Sequence, residues 1–377
     1  MESHILDISP LLPAALLAFA IALATAVLLV LTQRWHGVFT LDSTRGVQKL
    51  HAAPTPRVGG VPIALALAAA WPMLPAGERA LLEPVLLAAM PAAAFGLAED
   101  LTRRVGVAAR LLATLTAGAL FWWLAEGGVT HVGLPLVDAL LAFWPLSLAL
   151  TAFAAGGMAN AINIVDGLNG LAGLTTLIAL SAFGLLALGA GDSALAGACV
   201  ITAAVVLGFW LVNWPLGKLF LGDGGAYVLG FLLGCLGILL SERNPEISAF
   251  AVLLVCAHPV TEVLFSVWRR RCRAGAPGHP DALHLHSLVK RRLMRRLLPH
   301  RSASARNSLA GLLVAAGNVV PAALALAVHH STALSALAVL FAALGYVALY
   351  ARLVRFRWCS PLAFLMGRSP PPGVAQP

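Results

Sequence analysis

Charged residues and cysteines are scarce in this chain. Only 11% of its 377 residues are Asp, Glu, Lys or Arg, whereas a soluble domain carries about a quarter, so the composition excludes an ordinary soluble globule. The five cysteines are odd in number and form no Cys-x-x-Cys pair, which argues against a disulfide framework or a cysteine zinc site. Residues 1–10 contain no lysine or arginine, so the first apolar run is interpreted as a retained span and not as a cleavable signal.

Long hydrophobic runs are abundant. Hydrophobic residues make up 60% of the chain, and leucine- and alanine-rich runs of about 20 residues can each cross ~30 Å of hydrocarbon as a helix. The prediction is an all-α, polytopic transmembrane helical bundle of about ten or eleven spans. One membrane domain would cover residues 1–368, and the proline-rich tail 369–377 is expected to be disordered. The predicted spans are 11–32, 60–76, 81–98, 107–125, 138–158, 171–190, 194–214, 225–240, 247–267, 308–328 and 333–353.

Basic residues collect on alternate loops. If the N-terminus lies outside, the outside loops keep only Arg79 and Arg243, which is the positive-inside pattern. This pattern accounts for most of the net charge of +9 without nucleic acid. The outside acids, among them Asp192 and Glu242, are interpreted as solvated loop charges. The inside acids lie in stretches rich in Gly, Asn, His or Pro, which favours a functional site at the inside face.

Two stretches combine charge with backbone control at that face. The first inside loop, 49–60, contains prolines that fix φ and ends in a glycine pair that allows close backbone approach. Further along, Glu99 and Asp100 stand side by side before two arginines. Adjacent carboxylates at a helix end need a cation, a metal or open water, although a solvated turn is the simpler alternative.

A third stretch places polar residues at a helical spacing. Asn160, Asn163, Asp166 and Asn169 recur every three residues, which brings them near one face of a helical turn. Buried amides and a carboxylate suit a cation or a hydroxyl-rich ligand. Helix capping by Asn and Asp is the alternative.

Two further stretches complete the set. In 222–225, glycines flank Asp223; backbone N–H groups of such a turn can face phosphate, and the carboxylate suits a divalent ion, although these turns are common. Later, His284 and His286 would share one face of an extended segment. Zinc would need further ligands at suitable spacing, so we favour phosphate contact for the histidines.

In this order, the five stretches resemble the polyprenyl-phosphate N-acetylhexosamine-1-phosphate transferases of glycosyltransferase family 4. This family includes WecA-like, TagO-like and, more distantly, MraY-like enzymes. The resemblance runs from about residue 42 to 286 and rests on Lys-Leu-His-x-x-Pro-Thr-Pro-Arg-x-Gly-Gly, the paired acids, Asn-x-x-Asp-Gly-Leu-x-Gly, Gly-Asp-x-Gly and His-x-His. Pro54-Thr55-Pro56-Arg57 fits the simpler sugar transferases better than the MraY-like branch.

The resemblance implies transfer of a sugar-1-phosphate from a UDP-N-acetylhexosamine to undecaprenyl or another polyprenyl phosphate at the bacterial inner membrane, with the site facing the cytoplasm. The expected cofactor is Mg²⁺, with Mn²⁺ as an alternative. The implied catalytic residues are Glu99, Asp100, Asp166 and Asp223, and Asp223 and Asp166 would hold the metal. The implied substrate contacts are Lys49, His51, Arg57, Asn163, Asn169, Phe220, His284 and His286, with Phe220 stacking on uracil.

Two positions depart from the family pattern. The usual Asp-Asp is Glu99-Asp100, and the second Asp of Asp-Gly-x-Asp-Gly is Asn169, which loses a charge. We favour a subgroup with a different sugar, while a catalytically silent scaffold and a lipid-linked sugar transporter remain alternatives. The Gly230-x-x-x-Gly234 spacing leaves a homodimer open.

Overall fold

Over the part of the chain that the structure describes, the protein is a bundle of helices with almost no strand. The computed structural model describes residues 10–42, 54–272 and 283–355. Within these ranges, nine helices are long and apolar enough to cross a membrane, and a tenth span results if one pair bent by 80° counts as a single span. The predicted all-α, polytopic bundle is confirmed. The predicted run 60–76 forms only the short apolar helix Gly60–Met73, whose last turn is 3₁₀ and contains Pro72, and Pro75 follows it closely.

The helices fall in the following order. The first nine are α1 (Leu12–Leu31), α2 (Gln33–Thr40), α3 (Gly60–Ala70), α4 (Ala76–Thr102), α5 (Val107–Leu124), α6 (Pro135–Leu141), α7 (Trp144–Val165), α8 (Leu171–Gly189) and α9 (Ser193–Asn213). The remainder are α10 (Gly222–Arg243), α11 (Ala249–Val255), α12 (Ala257–Cys272), α13 (Leu285–Leu288), α14 (Arg295–Leu297), α15 (Ala303–Ala316), α16 (Val319–Val328) and α17 (Thr332–Val354). A 3₁₀ turn covers Trp71–Met73, and a π-helical turn covers Val289–Met294.

Helix α10 lies at the centre of the bundle. Of its apolar window, 89% is buried within the protein, against 11% for α17 at the periphery. It packs chiefly against α7 and α4. We call the end of the bundle where α4 and α7 end and α5 and α10 begin the site face.

Glycines let α10 approach α4 closely at the site face. A Cβ atom on Gly96 of α4 would lie 2.6 Å from the Cα of Gly224, so only glycine fits at that crossing. Gly222 begins α10 with a φ of +73°, and a side chain there would collide with Asp100 and the Arg57 carbonyl. The glycines of this motif therefore bring the end of α4 and the start of α10 together.

A short strand pair carries the first loop to the same place. Strand β1 (Leu41–Asp42) pairs antiparallel with β2 (Thr55–Pro56), with Leu41 opposite Pro56. The N–H of Phe220 donates to the Pro56 carbonyl over 2.8 Å, and the N–H of Gly59 donates to the Phe220 carbonyl over 2.9 Å. These bonds fix the first loop against the segment that leads into α10.

The Gly230-x-x-x-Gly234 spacing serves packing within the chain. A Cβ on Gly230 would meet the backbone of Met158 and Ala159, and one on Gly234 would meet Ala155, all of them on α7. These two glycines therefore do not form a dimer contact, since α7 of the same chain occupies that helix face, and the possible homodimer stays a prediction.

Candidate active site

A polar pocket of about 380 Å³ opens at the site face. It gathers side chains from loops and helix ends that are far apart in sequence, including six of the predicted site residues. The lining comprises Asp42, Arg57, Arg110, Asn163, Asp166, Gly167, Leu168, Asn169, Asn213, Phe220, Gly222, Asp223 and Asn307. Lys49 and His51 lie outside the described residues.

Asp100 does not line the pocket but supports it from behind. Its side chain is fully buried. One carboxylate oxygen accepts from the N–H of Asp223 over 2.9 Å, and the other accepts from the N–H of Gly224 over 2.8 Å. Asp100 thus satisfies free N–H groups at the start of α10. The expectation that these N–H groups face phosphate is wrong, because the Asp100 carboxylate already accepts from them.

Arg57 links the buried acid to the pocket. Its Nε donates to Asp100 over 3.1 Å, and its Nη2 lies 3.0 Å from the same Asp100 oxygen and 3.5 Å from Asp223. Although burial opposes its charge, the nearby carboxylates of Asp100 and Asp223 raise the pKa of Arg57. The guanidinium is therefore held charged and fixed in direction at the edge of the pocket.

Arg110 is a second pocket cation, and the sequence reasoning did not identify it. It stands in the first turns of α5, and its Nη1 forms a close ion pair with the Asp223 carboxylate. Its Nε is buried and has no hydrogen-bond partner in the described part of the chain. A basic residue inside the predicted apolar run 107–125 was the available signal, because such residues are costly in a span.

Glu99 and Asp100 have different surroundings. Glu99 Oε2 accepts from the N–H of Val105 over 2.9 Å, which closes the turn between α4 and α5. Neither acid lies on the pocket lining. The geometry gives both acids a positioning role, and their direct contact with substrate stays a prediction.

Asp166 ends α7 and is half-buried at the pocket wall. Burial, followed by the carboxylates of Asp223 and Asp100, raises the pKa of Asp166 to about 7. The carboxylates of Asp166, Asp223 and Asp100 therefore stand close enough to repel one another. Across the described ranges, no three His, Cys, Asp or Glu side chains come together to hold a metal by themselves.

Asn163, Asn169, Asn213 and Asn307 also line the pocket, and we call these four side chains the amide wall. The N–H of Asn169 donates to the Asn307 side chain over 2.8 Å, and the Asn169 amide donates to the Ser308 hydroxyl over 3.1 Å. Asn213 accepts from the N–H of Gly170 over 2.6 Å. The Asn169 amide nitrogen is thus used as a donor, which a carboxylate could not supply. Asn213 and Asn307 were missed because no local pattern marks them.

The two histidines lie behind the pocket wall. His284 and His286 are 6% and 4% exposed, and their rings stack with centroids 5.5 Å apart. Burial is the main cause that lowers the pKa of His286 to about 3, so its ring is neutral. Neither lies on the lining, and the predicted contact with phosphate stays a prediction.

Comparison with known proteins agrees with this arrangement. The family model for glycosyl transferase family 4 matches residues 83–241, which contain the paired acids, the amide stretch and Asp223. The predicted resemblance to this family is confirmed. The match runs from within α4 to within α10 and contains most of the pocket lining, whereas Asp42, Arg57 and Asn307 lie outside it.

Bacterial relatives carry names from the same family. The chain is 31% identical over 273 residues to a decaprenyl-phosphate N-acetylglucosaminephosphotransferase of Mycolicibacterium smegmatis, covering 63% of this chain and 65% of the relative. It is 31% identical over 156 residues to an undecaprenyl-phosphate alpha-N-acetylglucosaminyl 1-phosphate transferase of Salmonella typhi, covering 40% and 42%. A probable undecaprenyl-phosphate N-acetylglucosaminyl 1-phosphate transferase of Bacillus subtilis is 23% identical over 258 residues, covering 67% and 70%. The matches thus span less than two thirds of the first two relatives.

Proposed function

We propose that this protein transfers an N-acetylhexosamine-1-phosphate from a UDP-sugar to polyprenyl phosphate in the bacterial inner membrane and releases UMP. The observation that carries the proposal is the convergence of three carboxylates, two arginines and several amides in one pocket at the end of a membrane bundle. The names of the relatives support the same class of reaction. The product would begin the assembly of a lipid-linked surface glycan.

The reaction brings two anionic groups together. An oxygen of the acceptor phosphate forms a bond to the β-phosphorus of the UDP-sugar, and the bond from that phosphorus to the bridging oxygen breaks so that UMP leaves. Arg57 and Arg110 line the pocket and would contact the phosphates, since guanidinium groups match phosphate geometry. An alkyl phosphate is mostly deprotonated near neutral pH, with a second pKa of about 6, so positioning and neutralisation matter more than a general base.

The donor set fits a divalent cation that shares its ligands with the substrate. Mg²⁺ keeps several waters and binds through one or two carboxylates together with phosphate. Asp223 and Asp166 line the pocket, and a cation would offset the repulsion between their carboxylates, which adds to the effect of burial on the pKa of Asp166. We therefore assign Mg²⁺, or Mn²⁺, to Asp223 and Asp166, where it would offset phosphate charge during transfer.

The nucleotide sugar fits the amide wall. Asn163, Asn169, Asn213 and Asn307 offer neutral donors and acceptors, which suit a uracil ring, sugar hydroxyls or an N-acetyl group. Phe220 lines the same pocket and is assigned to stack on uracil. The part of the pocket that contains Arg57, Arg110 and Asp223 would then hold the diphosphate.

A second cavity of about 740 Å³ suits the hydrocarbon of the acceptor. It is lined almost entirely by apolar side chains of α12, α15, α16 and α17. It also borders the histidine segment, residues 284–288, through Leu285. Gly345 faces open space in this cavity, as Gly157 does on α7 outside it. Gly345→Leu should raise the KM for the polyprenyl phosphate severalfold and leave the KM for the UDP-sugar unchanged, while Gly157→Leu should change neither. Equal effects of the two variants would remove the cavity from the proposal.

Orientation follows from charge. Basic residues cluster in loops on the site face, and cytoplasmic loops carry such an excess. We therefore place the pocket at the cytoplasmic side, where UDP-sugars are made.

The test is UMP release by the purified full-length protein in detergent. UDP-N-acetylhexosamines would be supplied one at a time, with and without undecaprenyl phosphate and with Mg²⁺, Mn²⁺ or chelator. We expect UMP only when lipid and metal are both present, together with a lipid diphosphate sugar detected by mass spectrometry. Release without lipid would indicate a hydrolase, and no release with any sugar from folded protein would favour the silent scaffold.

A further inference from the structure

A buried acid in a membrane helix holds the histidine segment in place. Glu262 of α12 is fully buried. Its Oε1 lies 2.9 Å from His284 Nδ1, and its Oε2 accepts from the N–H of Leu285 over 3.2 Å and from the hydroxyl of Tyr346 over 2.7 Å. Since a carboxylate accepts hydrogen bonds, His284 must carry a proton on Nδ1. Both carboxylate oxygens of Glu262 are thus occupied, and the acid has no direct access to the pocket.

The contacts that begin at Glu262 continue through the rings of His284 and His286 to the pocket wall. The His284 ring stacks on His286 with an interplanar angle of 4°. The His286 ring presses on Gly167, where a Cβ would lie 2.7 Å from His286 Cδ2. Gly167 lines the pocket directly after Asp166. A continuous line of contacts therefore runs from Glu262 to the turn that carries Asp166.

We propose that Glu262 is a positioning residue, which acts through the His284–His286 stack to fix the Asp166–Gly167 turn relative to Asp223. Tyr346 on α17 supports it by holding the second carboxylate oxygen. The proposal rests on the proposed function, because its effect on turnover is read in that reaction. It concerns how the acidic groups are held and not which group contacts substrate.

Glu262→Gln is the sharpest change available. It keeps the shape of the side chain but replaces one acceptor oxygen with an NH₂ group, so at least one of the three hydrogen bonds is lost. We expect kcat to fall about 10-fold or more, because small misplacements of reacting groups are costly. The KM for the UDP-sugar should stay within about twofold, since the amide wall remains intact.

A double-variant comparison separates positioning from general destabilisation. If Glu262 acts through His284, then E262Q combined with H284A should turn over no more slowly than H284A alone. Multiplying losses would overturn the proposal. Y346F should lower kcat about threefold. Y350F is the matched control, because Tyr350 lies one turn further on α17 and its hydroxyl accepts from Arg269 over 3.1 Å; it should leave kcat unchanged.

A second readout needs no activity. His284 and His286 are buried in the native protein and should resist diethyl pyrocarbonate, whereas His131, whose side chain is 53% exposed, should react in every variant. We expect E262Q to raise modification of His284 and His286 severalfold, measured by mass spectrometry, and Y350F to leave it unchanged. Unchanged protection of His284 and His286 in E262Q would overturn the positioning role of Glu262, even if the wild-type protein released no UMP. Absent UMP release with increased modification would instead count against the proposed function alone.

Discussion

The two ends of α10 carry similar residues in different settings. At the site face, Asp223 meets Arg57 and Arg110. At the opposite end, Arg243 pairs with Asp192 through two bonds of 2.7 and 3.0 Å, and Glu242 accepts from Thr130 and His131. Both ends therefore combine acids with donors at a bundle surface.

The difference lies in what surrounds the pairs. The opposite-end pairs tie loops to helix ends, and none of their residues lines either of the two cavities. At the site face, three acids stand within electrostatic reach of one another and a pocket opens beside them. An ion pair at the bundle surface is therefore weak evidence of a functional site. Several carboxylates that lie close together beside a cavity are stronger evidence.

Asp223→Asn and Glu242→Gln test that difference on one helix. We expect Asp223→Asn to lower kcat at least about 100-fold, because it removes a charge assigned to the metal and the phosphates. The kcat of Glu242→Gln should stay within about twofold of the wild-type value. UMP release, normalised to protein that elutes as a single folded species, measures both. Wild-type turnover in Asp223→Asn would remove Asp223 from the site.

Much of the fold was predictable, because hydrophobic runs report membrane spans directly. The predicted spans coincide with helices to within several residues, but three runs, 138–158, 247–267 and 308–328, each cross a break between two helices. In the run 247–267, Pro259 was the local signal, because a proline at that position cannot donate an N–H to the Val255 carbonyl and so interrupts the helix there.

The site was predictable only where a motif is local. Asp223, Asp166, Asn163, Asn169, Arg57 and Phe220 were identified and share one pocket. Arg110, Asn213 and Glu262 were missed because their partners lie 113, 43 and 22 residues away. The solvated-charge interpretation of Asp192 is wrong, because its side chain is 7% exposed and caps α9 while pairing with Arg243.

Substitutions of Arg110 and Arg243 compare the two ends of α10 through their basic residues. Arg110→Ala should lower kcat/KM about 100-fold by removing a phosphate donor. Arg110→Lys should lower kcat/KM about 10-fold, because lysine keeps the positive charge but cannot bind a phosphate through two parallel hydrogen bonds as a guanidinium does. Arg243→Ala should remain within about twofold of wild type in the same assay. A full loss in Arg243→Ala would mean that the loop pairs also shape the pocket.

Asp192→Asn should have the smallest effect and should act on stability alone. Asn can still cap α9 by accepting from the Leu195 N–H, as Asp192 does over 3.1 Å. The change removes the charged pair with Arg243, whose side chain is 46% exposed and therefore screened, so the cost should be about 0.5 kcal/mol. In detergent this is a fall in Tm of about 1 °C.

The stability lost in Asp192→Asn should be smaller at low pH than at neutral pH. Although burial opposes it, hydrogen bonds from Arg243 and the Leu195 N–H hold the pKa of Asp192 below its ordinary value. The stabilisation is therefore complete above the unfolded pKa of about 3.9 and is lost as the pH falls through the lower folded value. The Tm difference between Asp192→Asn and wild type should hold from pH 5 to 8 and shrink below about pH 4. A difference that persists at lower pH would mean that shape and not charge holds this end of α10, and the contrast with the site face would then rest on the cavity alone.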